Sequence, residues 1–95
     1  MYCCVTYDIR DNRLRLRLSK YLRRKGLLRY QKSVFIGRLD EESRREIERD
    51  WRPLLSPDDR LAFILLEKPV FRSLLQQTAD ARVRRLGQPF VFLEM

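Results

Sequence analysis

The chain has 95 residues, and 21 basic against 13 acidic side chains give it a formal charge of +8. That length predicts one domain, 1–95, whose modest core would gain from a partner that covers more apolar surface. The absence of histidine excludes histidine acid–base chemistry, Ser-His and Cys-His nucleophiles, and imidazole metal ligands.

Residues 2–8 read as a strand of apolar and β-favouring side chains that ends on Asp8. Adjacent strand residues point to opposite faces, so Cys3 and Cys4 do not chelate one metal together. They read as small buried residues of a reducing compartment. Asp11 or Asn12 offers an N-cap to a helix in which Leu14, Leu18, Tyr21 and Leu22 recur at helical spacing. Lys25-Gly26 supplies its basic last turn and its stop. Leu16 falls outside that apolar stripe. From Arg10 to Lys32 there are ten basic residues and one acid, Asp11, a local charge of +9 in a chain whose remainder sums to −1. Such a surplus favours a phosphate backbone as partner, because neutralised phosphates release condensed counterions. At about 100° per residue, Arg13, Arg17, Lys20 and Arg24 share one flank of the helix, and Arg15 falls on the opposite one. The first four are the candidate phosphate track, with Arg10 beside Asp8, and binding is expected to be salt-dependent and indifferent to sequence.

Residues 27–31 and 33–37 read as two strands joined by a tight connection, with Ser33 taken as a strand residue. Asp40 is the N-cap of a second helix, with Glu41 and Glu42 in its first turn and Ile47, Trp51, Leu54 and Leu55 as its apolar stripe. Pro53 ends the regular helix near Arg52. Ser56 to Asp59 form a turn, and Leu61 to Leu66 an unbroken apolar strand. The order β-α-β-β-α-β predicts an α+β, ferredoxin-like core over about residues 1–67, with two helices on one face of an antiparallel sheet. Two helices leave the other face bare, which predicts a homodimer with a second copy of the sheet against it. In the extension 68–95, Pro69 to Leu75 read as a short helix or irregular cover, and Ala81 to Leu86 as a weakly alternating strand. Phe90, Val91, Phe92 and Leu93 read as an extra C-terminal strand at the dimer interface, paired to a sheet edge of the partner. Trp51 and the phenylalanines read as packing residues, away from the basic segment. No membrane-length apolar run or signal peptide is recognisable, so a cytoplasmic location is expected.

Asp8 emerges from a strand beside a basic surface, which suits metal-dependent phosphodiester chemistry and equally suits a helix cap or a structural carboxylate. Mg²⁺ takes oxygen ligands and often needs only one or two carboxylates, with waters and substrate phosphates completing its shell. Asp11 reads as a cap rather than a ligand.

Several of these pieces stand together in a recognisable order. The run from Val5 to Asp11 contains Tyr7-Asp8-Ile9, and Arg15 with Arg17 and then Gly26 follow. Next comes Tyr30-Gln31-Lys32-Ser33-Val34-Phe35-Ile36-Gly37. The chain resembles the Cas-two family, the small dimeric proteins of CRISPR adaptation, with the best agreement over residues 2–40. The resemblance implies a ferredoxin-like homodimer in complex with the larger CRISPR integrase, bridging integrase dimers and lying against the double-stranded DNA of a new spacer. It also implies an alternative activity, Mg²⁺-dependent endonuclease action on single-stranded RNA or double-stranded DNA. In that activity Asp8 of each protomer is the metal-site and catalytic residue. Two positions depart from the family pattern: Ile36 stands where glutamate is common, and Leu14 where a basic residue is frequent. The loss of a carboxylate at 36 weakens the nuclease reading more than the scaffold reading.

Overall fold

A computed structural model describes the backbone of residues 1–86 and the side chains of residues 1–78. Strand β1 (Tyr2–Asp8) is followed by α1 (Asn12–Arg24), β2 (Leu28–Gln31), β3 (Val34–Arg38), α2 (Glu41–Trp51), a 3₁₀ turn (Arg52–Leu54), β4 (Arg60–Leu66) and α3 (Lys68–Leu86). The four strands form one sheet in the order β2-β3-β1-β4 with every neighbouring pair antiparallel. This is the arrangement expected of a split β-α-β unit.

The local signals account for the boundaries. Asp11 Oδ1 accepts from the Leu14 N–H at 2.9 Å, and Asp40 Oδ1 from the Ser43 N–H at 2.7 Å, so α1 and α2 each start on an aspartate cap. At the end of α1, Leu27 N–H donates to Leu22 O and Gly26 N–H to Arg23 O, while Gly26 takes φ 90°. That paired closure needs a residue in the left-handed region, which glycine reaches without strain. Pro53 converts the end of α2 into the 3₁₀ turn. The β2–β3 connection corrects one expectation: Ser33 is a turn residue with φ 66°, not a strand residue. Gly37 serves a different need, since a Cβ there would lie 2.5 Å from Leu27 Cδ2 and 3.3 Å from Leu27 Cα.

One face of the sheet carries the core. Cys3, Val5, Tyr7, Phe35 and Leu61 pack there against Leu18 and Leu22 of α1 and Ile47 and Trp51 of α2. Burial pushes the Cys3 thiol up, helped by the neighbouring Cys4, to about 11, and also raises Cys4. Both are thereby kept from thiolate chemistry.

The opposite face departs from expectation. The segment 81–86, read as a strand, belongs to α3, whose first residues are the short helix expected near Pro69. This third helix lies on the second face, where the Phe71 ring stacks on Tyr2 at 4.5 Å and the Tyr30 hydroxyl donates to Gln77 Oε1 at 2.6 Å. Cys4 and Ile36, outside the helix-side cluster, are buried there. A second copy is therefore not needed to cover all of that face. Ile64 and Leu65 on the edge strand β4 stay 49% and 72% exposed, so apolar surface still remains for a partner. The proposed interface strand Phe90, Val91, Phe92 and Leu93 lies outside the described residues. Among the described residues, no helix is long and apolar enough to cross a membrane.

Candidate nucleic-acid interface

Helix α1 holds six cations and no acid between Asn12 and Arg24. Its apolar stripe is fixed against the sheet by Leu18 and Leu22, both fully buried, and this leaves Arg13, Arg17, Lys20 and Arg24 exposed on the outward side. Arg17, Lys20 and Arg24 line a groove of about 370 Å³, whose other wall is Asp50, Trp51 and Leu54 at the end of α2. Arg13 does not line the groove. Among the described residues, the side chains of Arg13, Lys20 and Arg24 take part in no hydrogen bond or ion pair, and that of Arg17 engages only the Trp51 ring, at 5.7 Å. Trp51 is 5% exposed and meets Tyr21 edge-on at 5.4 Å. It is a core residue as expected, yet it stands beside the basic helix and not away from it. Packing of α2 against α1 brings it there, and no local pattern in the chain carries that information.

Arg15 does occupy the opposite flank, and its role is local. Its guanidinium donates to the carbonyls of Ile9 at 2.9 Å and Arg10 at 3.5 Å, and to Asn12 Oδ1. These bonds tie the β1–α1 loop to the helix. On that side Arg15, Arg29 and Lys32 line a smaller cleft of about 170 Å³ with Tyr7 and Ser33. Burial pushes the Tyr7 phenol up, against the opposing pull of Arg29 and of a hydrogen bond with Ser33. Arg29 and Lys32 belong to the basic segment but lie outside helix α1 and its candidate track. Their meeting with Arg15 depends on β2 crossing next to α1, a long-range feature.

Asp8 stands exposed at the end of β1, on the face away from α1 and α2. Its cross-strand neighbour is Arg60, whose guanidinium turns to the carbonyls of Pro57 and Asp59 at 3.1 Å each. Asp8 is not a cap, and among the described residues its carboxylate has no hydrogen-bond or ion-pair partner. Arg10 faces the β4 approach: its N–H donates to Asp59 Oδ1 at 3.1 Å, and its guanidinium lies 3.7 Å from Asp58 Oδ2. Arg10 therefore lines neither basic cleft. Among the described residues, no three of Asp, Glu, Cys or His gather as a metal-binding group. The chain thus offers Asp8 as a single carboxylate donor, which fits a hard cation only where a second carboxylate, waters or phosphates complete the shell.

The match to known proteins follows these same elements. The family model described as CRISPR associated protein Cas2 matches residues 1–73, from β1 through the first turns of α3. A CRISPR-associated endoribonuclease Cas2 of Korarchaeum cryptofilum (strain OPF8) is 43% identical over 58 residues. Those residues are 60% of this chain and 62% of the relative, so the chain spans less than two thirds of that protein. With the strand-end aspartate, the basic first helix and the sheet order all inside the matched region, the chain belongs to the CRISPR associated protein Cas2 family.

Proposed function

We propose that this protein is a DNA-bridging scaffold of CRISPR adaptation, working as a homodimer with the larger integrase and laying its first helix along the spacer precursor. The observation that carries this reading is the set of cations on the outward flank of α1 that pair with no acid among the described residues. Unpaired guanidinium and ammonium groups on a rigid helix suit phosphate contacts, which set the position of a duplex without reading its bases. A two-fold dimer repeats the track and supports one continuous length of DNA. The exposed apolar residues of β4 support a second copy as partner. The test is duplex binding as a function of salt, in the wild type and with Arg13, Arg17, Lys20 and Arg24 changed to Ala. A salt slope that does not change would remove this assignment.

A second reading rests on Asp8, an exposed carboxylate without a hydrogen-bond or ion-pair partner among the described residues, and on the relative's name as an endoribonuclease. In that reading the two Asp8 side chains of a dimer would hold Mg²⁺, which when bound would supply a positioned water and charge neutralisation at the scissile phosphate. The substrate is then single-stranded RNA or double-stranded DNA. Cleavage that requires Mg²⁺ and disappears in Asp8→Asn supports it; cleavage retained by that variant removes it.

A further inference from the structure

The groove between α1 and α2 is not built as a phosphate track alone. Its cations, Arg17, Lys20 and Arg24, share it with Leu54, a large apolar side chain left 48% exposed, and with the carboxylate of Asp50. A backbone phosphate gains nothing from Leu54 and is repelled by Asp50. A nucleobase uses both. The Arg17 guanidinium, laid over the Trp51 ring at 5.7 Å, is a planar platform of the kind on which unpaired bases stack. Asp50 meets Arg49 Nε through Oδ1 at 3.1 Å, in an exposed pair, and keeps its other oxygen to accept a base N–H. A volume of about 370 Å³ lies in the range of small-ligand clefts.

From this combination we infer that the groove binds one unpaired nucleotide of a strand, its base against Leu54 and Arg17 and its phosphates on Lys20 and Arg24. The inference rests on the nucleic-acid reading above and extends it from duplex to unpaired ends or single strands. An acidic peptide would also match the cations, but the groove then places Asp50 against like charge.

Trp51 is the only tryptophan of the chain, so its emission reports on the groove directly. The full-length protein is titrated with a single-stranded oligodeoxynucleotide, an abasic strand of equal length, a blunt duplex, and a peptide rich in Glu and Leu. The normal strand is expected to shift the emission and to bind about tenfold more tightly than the abasic strand, with the duplex, whose phosphates also reach Arg17, shifting it less. Leu54→Ser, at an exposed site, should remove the advantage of the normal strand without changing duplex affinity, and Asp50→Asn should reduce it. Equal binding of normal and abasic strands, with duplex binding retained, overturns the groove assignment and leaves the scaffold reading standing. Loss of duplex binding as well overturns both. An emission shift with the peptide and with no strand assigns the groove to a protein partner and overturns the inference.

Discussion

Helices α1 and α2 pack side by side on the same face of the sheet, yet they treat their charges in opposite ways. In α2 the charges are largely spent on each other: Glu41 pairs with Arg44 and Arg45, Glu48 with Arg52 just beyond the helix, and Arg49 with Asp50. In α1 the outward cations form no ion pair among the described residues, although Asp50 shares their groove. Lys25, just past its end, is held by Glu46 of α2 at 2.5 Å and is thereby taken out of the free set. A dense row of charges is therefore not by itself an interface. What separates the two helices is whether the charges are already neutralised within the protein.

The sharpest way to break this comparison is to neutralise each helix in turn. Changing Arg13, Arg17, Lys20 and Arg24 to Ala should lower the slope of log affinity for duplex against log salt by about 3 to 4. Changing Arg44, Arg45 and Arg49 to Ala should leave that slope within about 1 of wild type; an equal drop would erase the distinction. Next in size are effects that should not differ between the helices, because both are anchored in one core. Leu18→Ala in α1 and Ile47→Ala in α2, each fully buried, should cost about 2–5 kcal/mol in denaturant unfolding. Smaller still, Asp11→Ala should cost about 1 kcal/mol through the lost cap of α1.

The smallest effect is a pH dependence belonging to α2 and the turn before β4. Hydrogen bonds from Ser43 hold Asp40 below its ordinary value of 3.8, Arg44 holds Glu41 below 4.5, and the backbone N–H groups of Ser56 and Arg10 hold Asp59 below 3.8. Groups with lowered folded values contribute stability that is complete above the ordinary values and is lost as pH falls through the folded ones. All three are exposed, so the loss should be modest. Thermal melts that are flat through this acid range would contradict the assignment.

Much of the fold was legible because its signals are local. The aspartate caps, the glycine stop after α1, Pro53 after α2 and the apolar stripes each act within a few residues. The misread segments are those where local pattern is ambiguous. Ala81-Arg82-Val83-Arg84 alternates like a strand, but the neighbouring Gln, Ala, Leu and Arg residues favour a helix, and the 19-residue α3 results. Ser33 breaks its strand because a two-residue connection demands a positive φ there. The site divides similarly. Helical geometry alone placed Arg17, Lys20 and Arg24 on one flank and Arg15 on the other. That Trp51 and Leu54 complete a groove with the first set, and Arg29 and Lys32 a cleft with Arg15, follows from tertiary packing, which a single sequence does not display.

The most direct test of the account is reconstituted spacer integration with the larger integrase. It compares Asp8→Asn with the combined Arg17→Ala, Lys20→Ala, Arg24→Ala variant, after sedimentation has confirmed that both are dimeric. The account predicts wild-type integration for Asp8→Asn and loss for the combined variant. Loss in Asp8→Asn with the dimer intact, alongside normal integration by the combined variant, would contradict it and move the function from the helix to the strand-end carboxylate.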